Sequence, residues 1–135
     1  MQSESLKPGL VAQASETVTD GNTAAALGSG GLPVYATPAM IALMEKAAFA
    51  AAAPHLPPGW STVGTEVNVR HLSATARGMK VTARAELLSV DGRALHFSVA
   101  AHDEAGKIGE GEHSRFIVEK EKFMAKTESR NTKNA

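Results

Sequence analysis

Between residues 34 and 53 the chain reads Val34-Tyr35-Ala36-Thr37-Pro38-Ala39-Met40-Ile41-Ala42-Leu43, then Met44-Glu45-Lys46-Ala47-Ala48-Phe49-Ala50-Ala51-Ala52-Ala53. Almost every position is apolar and most are good helix formers. A helix that is apolar on all sides cannot lie on a surface and must be enclosed by the rest of the fold. Thr37-Pro38 marks its start, with a hydroxyl that can cap and a proline suited to the first turn. Pro54 stops it, and His55-Leu56-Pro57-Pro58-Gly59 forms a stiff connector. Glu45 sits in the middle of the apolar run. A carboxylate there must find a partner or be desolvated, and either can shift its pKa.

The remainder of the chain has strand patterning that could do the enclosing. Residues 1–8 are polar and read as a flexible N-terminus. Leu10 to Thr19 alternates weakly as a first strand, Asp20-Gly21-Asn22 signals a turn, and Ala24 to Leu27 suits a short helical turn. Gly28-Ser29-Gly30-Gly31 makes a flexible loop ahead of the main helix. After the connector the period changes to two. Thr65, Val67, Val69 and His71 share one face, as do Met79, Val81, Ala83, Ala85 and Leu87 of the next strand. Asp91-Gly92 is a strong hairpin signal, and Leu95, Phe97, Val99 and Ala101 follow on one side of a further strand. Glu104-Ala105-Gly106 turns into a last strand over 107–118, where Gly109 and Gly111 mark bulges or close backbone approach. Residues 127–135 read as a disordered tail. The order is strand, helix, then four strands in a meander. The pattern therefore predicts an α+β fold over residues 9–126, with a curled five-stranded antiparallel sheet wrapped around one long helix. That is the hot-dog architecture.

At 135 residues the chain is long enough for one domain and one core. It contains no cysteine, which excludes a disulfide scaffold, a cysteine nucleophile and a thiolate metal site. Lys and Arg balance Asp and Glu at 14 each, which argues against a strongly basic nucleic-acid face. No uninterrupted apolar run reaches membrane-spanning length, and the first residues lack signal-peptide patterning, so a cytoplasmic protein is expected. The five histidines lack metal-ligand spacing, so no metal and no cofactor are expected. Gly109-Glu110-Gly111 lacks the strand-loop-helix setting of a dinucleotide site.

Thr37, Glu45 and His71 stand out as a trio that could activate a nucleophile or a water. Each also has an ordinary role open to it: Thr37 as a helix cap, Glu45 as a solvated helix residue, His71 as a core or strand-end histidine. His55, His96 and His102 are expected to face outward, and the pair His113 and Arg115 suits a surface position as well as a site. Lys120, Lys122 and Lys126 read as solvated, with the phosphates of a ligand as the alternative contact.

The stretches Tyr35-Ala36-Thr37, Leu43-Met44-Glu45, Val63-Gly64-Thr65, Arg70-His71, Ala74-Thr75, Val90-Asp91-Gly92-Arg93, Ala100-Ala101-His102-Asp103, Ile108-Gly109-Glu110-Gly111 and Glu121-Lys122-Phe123 carry a resemblance. Taken together and in this order, they resemble the hot-dog acyl-coenzyme A thioesterases of the fluoroacetyl-coenzyme A type, over roughly residues 8–126. The resemblance implies a catalytic threonine at Thr37, a glutamate at Glu45 and a histidine at His71. It implies substrate contacts at Gly64, through its backbone, and at Arg115. It implies hydrolysis of a short acyl-coenzyme A by a homodimer with sites at the subunit interface, coenzyme A being part of the substrate. A tetramer stays open. Fluoroacetyl-selective members place aromatic residues in a lid ahead of the threonine. Here Gly28-Ser29-Gly30-Gly31-Leu32-Pro33-Val34 holds none, so that selectivity does not carry over.

A thioesterase needs a nucleophile, a proton acceptor and donors for the oxyanion. Thr37 at a helix start lies where free N–H groups and the dipole favour a negative oxygen. Glu45 is eight positions on, near the same face but about 12 Å along the axis. It must serve the threonine across a dimer interface or through a water. Either Thr37 attacks while His71 and Glu45 handle the proton, or Glu45 is base or nucleophile while Thr37 and His71 orient the substrate. A shared network with His71 as general acid–base is favoured, because a histidine pKa of about 6.5 suits transfer near neutral pH. Two other readings of the same fold are a non-hydrolytic acyl-coenzyme A binding module and a related lyase acting on an enoyl thioester.

Overall fold

The computed structural model describes residues 4–133. Its elements are β1 (Val11–Thr17), α1 (Ala24–Leu27), α2 (Thr37–Ala52) followed by a 3-10 turn (Ala53–His55), β2 (Trp60–His71), β3 (Lys80–Asp91), β4 (Ala94–Asp103), β5 (Gly106–Glu119) and α3 (Lys120–Lys133). The five strands form one antiparallel sheet in the order β1-β3-β4-β5-β2.

The sheet wraps α2 as its composition demanded. Ala39, Met40, Leu43, Met44, Ala47, Ala48, Ala51 and Ala52 form the buried stripe of the helix. Against it lie Val81, Ala83, Ala85 and Leu87 of β3, and Leu95, Phe97, Val99 and Ala101 of β4. Alanines on both sides of this contact let the helix sit close to the sheet. Gly109 of β5 shows how close: a Cβ there would stand 2.5 Å from Met40 Sδ and 2.9 Å from the Arg70 carbonyl oxygen.

Several expectations change in the structure. Only β3, β4 and β5 form a meander. β2 pairs with β5 instead of β3, and β1 takes the position beside β3. The chain between β2 and β3, residues 72–79, is too long for a hairpin loop, and its turn at Arg77-Gly78 bonds Val18 rather than β2, so nothing local forces those strands together. The β3–β4 hairpin turns on Gly92-Arg93, one residue later than its sequence signal, with Gly92 at φ 60°. As an outer strand, β2 does not bury the alternating face expected of it: Thr65 and Val67 are exposed, and a bulge between Gly64 and Glu66 resets the register. Leu6, in the stretch read as flexible, is buried in the core. The stretch read as a disordered tail is helical through Lys133, with residues 134–135 outside the described residues. The good helix formers of Lys120–Lys126 start α3, and the Thr127 and Ser129 hydroxyls bond back to the Phe123 and Lys126 carbonyls. Among the described residues no helix is long and apolar enough to cross a membrane.

Met40, fully buried against the glycine gap, tests this packing. Met40→Ala should lower the unfolding free energy by about 2–5 kcal/mol. Equilibrium urea unfolding of the full chain at fixed protein concentration reads the difference.

Candidate active site

The structure brings Thr37 and His71 together. Ala36, in extended conformation, occupies the helix cap position and offers no side-chain cap, so Thr37 is the first residue of α2. The Thr37 hydroxyl does not cap the helix as expected but lies 2.7 Å from His71 Nδ1. His71 reaches it from the last position of β2. The first α2 bond runs from Met40 N to Ala36 O, so the Thr37 and Ala39 amides have no partner within the helix. They form the positive end of the helix dipole beside an exposed hydroxyl.

The His71 ring is half-buried. Burial pushes its pKa below the ordinary histidine value, with a backbone contact at Ser73 opposing. The ring is therefore neutral near pH 7, with Nδ1 free to take the Thr37 proton when Nε2 carries the hydrogen. Nε2 is buried and has no hydrogen-bond partner among the described residues. An open groove of roughly 270 Å³ passes this pair, bounded by Val34, Leu72 and Ser73.

Glu45 belongs to a second cluster. Its Oε2 is 3.4 Å from Arg115 Nη1 and 4.0 Å from His113 Nε2. Gly64 lies against the carboxylate so tightly that a Cβ there would stand 2.6 Å from Oε2. The glycine is thus demanded by the position of Glu45, and it sits at the β2 bulge. Arg115 is nearly covered, yet its donors are matched: Nε donates to Thr62 Oγ1 at 2.8 Å and Nη2 to the Thr62 carbonyl at 3.1 Å. Its guanidinium also lies over the Phe49 ring, 5.8 Å from the centroid. Burial lowers the Arg115 pKa while Glu45 opposes, and the group stays charged. Glu45 is 41% exposed and can reach water. Among the described residues it is not hydrogen-bonded to Thr37 or His71, in keeping with their separation along the helix.

A buried polar network holds the first pair in place. Tyr35 is turned into the core, and its hydroxyl donates to Glu16 Oε2 at 2.5 Å. Burial and this carboxylate both raise the Tyr35 pKa, so it stays a donor. The Tyr35 amide bonds the Thr75 carbonyl at 2.9 Å, and the Thr75 hydroxyl bonds Asp103 Oδ2 at 2.8 Å. The segments that carry Thr37 and His71 are tied together through these contacts. No aromatic ring covers Thr37 from the preceding loop, where Gly28 takes φ 76° and Leu32 is 67% exposed.

Sequence reasoning missed Thr62 and the contact of Thr75 with Asp103, and it left open whether His113 and Arg115 face inward. Period two from Ile117 gives the signal for the last pair, since Ile117, Arg115 and His113 are all buried. Phe116 and Val118 on the alternate positions hide it. Among the described residues no group of three His, Cys, Asp or Glu side chains could hold a metal ion.

Residues 18–121 match the family model described as fluoroacetyl-CoA-specific thioesterase. The chain is 48% identical over 93 residues to the fluoroacetyl-CoA thioesterase of Streptantibioticus cattleyicolor, covering 69% of this chain and 67% of that protein. Its fold matches a point variant of the fluoroacetyl-CoA-specific thioesterase solved with fluoroacetate and CoA, at TM-score 0.82, 38% identity, and 87% and 99% of the two chains. It also matches a Thermus thermophilus hypothetical protein described as a thioesterase superfamily member, at TM-score 0.89, 30% identity, and 96% of each chain.

His71 and His113 both have lowered folded pKa values, so the unfolded chain takes up protons first. Their contribution to stability is full above the ordinary histidine pKa. It falls as pH drops from there through the lowered folded values. Imidazole NMR titration should find both rings titrating below free histidine, and urea midpoints should fall between pH 7.5 and pH 5.

Proposed function

The chain belongs to the fluoroacetyl-CoA-specific thioesterase family, and from that premise we propose that it hydrolyses an acyl-coenzyme A thioester to the free acid and coenzyme A. The observation that carries the residue assignment is the Thr37 Oγ1 to His71 Nδ1 contact at the open N-terminus of α2. Thr37 Oγ attacks the thioester carbonyl as its proton passes to His71 Nδ1. The amides at the start of α2 stabilise the oxyanion. Collapse breaks the C–S bond, and the coenzyme A sulfur takes the proton from His71. Water then adds to the Thr37 ester, gives up a proton to the site base, and breaks the ester C–O bond. The acid leaves and Thr37 regains its hydroxyl proton. Gly64 and Arg115, beside Glu45, line the substrate side of that base.

Glu45 is assigned to the water step, and it reaches the threonine from a second subunit. Within one chain it turns toward Arg115 and away from Thr37, and among the described residues His71 Nε2 is left without a partner. The exposed side of α2 carries Ala42 and Phe49, and β2 leaves a long sheet edge open beside it. A two-fold homodimer covers both and completes each site with the other chain's glutamate. The cytoplasmic setting expected from the sequence remains part of this reading, since coenzyme A thioesters are made and consumed inside cells. With the glycine-rich loop in place of an aromatic gate, acyl groups other than fluoroacetyl should be accepted.

Free-thiol release from a panel of short and medium acyl-coenzyme A esters tests the reaction. Glu45→Ala and His71→Ala should each slow it by about 10²–10⁴-fold while the thermal midpoint stays near that of the parent. Acetyl and fluoroacetyl esters should be cleaved at comparable rates. Ligand-induced thermal shifts without thiol release would make the protein a binding module. Mixing denatured Thr37→Ala and Glu45→Ala chains and refolding them together tests the shared site. Half of the dimers then carry one intact site of two, so about a quarter of parental activity should return. No recovery would place the whole site within one chain.

A further inference from the structure

His113 has no role in the scheme above, yet it is among the most deeply buried polar side chains in the protein, 2% exposed. Its contacts fix its state. Nδ1 lies 2.7 Å from the Glu66 carbonyl oxygen, which can only accept, so Nδ1 carries the hydrogen. Nε2 is 3.1 Å from Arg115 Nη1, which can only donate, so Nε2 presents its lone pair. The ring is thus held as the neutral Nδ1–H tautomer between two opposite demands. The Phe97 ring lies alongside it, with centroids 6.3 Å apart and an interplanar angle of 28°.

This lone pair is not needed for packing, since a phenyl ring would fill a similar space. It matters for Arg115. Thr62 holds the Nε and Nη2 side of the guanidinium, and His113 holds Nη1. Nη1 is also the nitrogen that faces Glu45, at 3.4 Å, beside the Gly64 gap. We propose that His113 is a positioning residue: as a neutral acceptor it fixes Arg115 Nη1, and through it the Glu45 carboxylate, in the geometry used for hydrolysis.

The same arrangement makes the clamp sensitive to acid. The charged or titratable groups that face His113 are Glu45 on α2, Arg115 on β5 and His96 on β4, while β2 offers the Glu66 carbonyl. Protonating Nε2 would remove the acceptor and place a cation against Arg115. Burial, ahead of the other influences, keeps the ring neutral to lower pH than an ordinary histidine. The clamp therefore holds near neutrality and opens only on acidification.

Two substitutions separate the roles. His113→Asn retains a donor near Nδ1 but loses the acceptor at Nε2. His113→Gln places an amide oxygen near Nε2 and restores that acceptor. The inference deepens the thioesterase reading and rests on it for the kinetic consequences, so the first readout is independent of activity. In the full-length protein the Arg115 Nη1–H signal in low-temperature 15N NMR should be sharp in the parent and in His113→Gln, and broadened or shifted in His113→Asn. In thiol release, His113→Asn should lose about tenfold in kcat with the fold intact, and His113→Gln should recover most of it. The acid limb of the kcat/KM profile should carry two ionisations in the parent and one in His113→Gln. An unchanged Arg115 signal in His113→Asn overturns the inference, as does equal loss of signal in both variants. Absence of thiol release from the parent sinks the thioesterase reading alone, because the Arg115 signal still decides the positioning.

Discussion

Everything in this molecule follows from a sixteen-residue helix that water cannot be allowed to surround. Its apolar stripe is covered by the inner faces of β3 and β4, with small residues on both sides of the contact. Covering the stripe leaves two polar opportunities. One is the helix N-terminus, where the first backbone amides have no partner within the helix and a hydroxyl is tolerated. The other is the flank of α2 beside β2, where Glu45 escapes the core while its neighbours Met44 and Ala47 stay buried. The candidate site occupies those two positions. Candidate-site polarity and core hydrophobicity share one helix because one face of α2 is buried against the sheet while its start and its outer side, with Ala42, Lys46 and Phe49, meet solvent.

The second organising feature is the position of β2. Crossing from the end of α2 to the far edge of the sheet, it pairs with β5 and brings His71 back to the start of the helix. The same pairing sets Gly64 opposite Arg115. One strand thus serves both halves of the site, with the bulge after Gly64 between them. The Tyr35, Thr75 and Asp103 contacts then fix the segments on which the first half depends, so the pair at Thr37 rests on a buried hydrogen-bonded frame.

Much of this was legible in the sequence, for identifiable reasons. The apolar run could only be a central helix, and the single face of Leu95, Phe97, Val99 and Ala101 could only be an inner strand face. Thr37, Glu45 and His71 were singled out as candidates from their placement and from the family resemblance. The structure unites Thr37 with His71 and sets Glu45 apart. Strand order was not legible, because alternation states which face is buried but not which strand is the neighbour. Local sequence left the Thr37 hydroxyl two roles, as a cap and as a site group beside His71, and could not choose because His71 arrives from another strand. His113 and Arg115 were obscured by apolar residues at both parities of β5, where Ile117 faces in and Phe116 is 42% exposed. Helix α3 was hidden by its polarity, which suits a solvated helix as well as an unstructured tail.

In the proposed mechanism Thr37, held by His71, is the group that receives the acyl group. The most direct measurement is acid quenching of the parent protein within its first turnover of an acyl-coenzyme A ester, followed by mass spectrometry of its peptides. The account requires an acyl adduct on the peptide containing Thr37, and on the Thr37 side chain itself. An adduct on Glu45, or thiol release with no adduct at any time, would contradict it and reduce Thr37 to orienting the substrate.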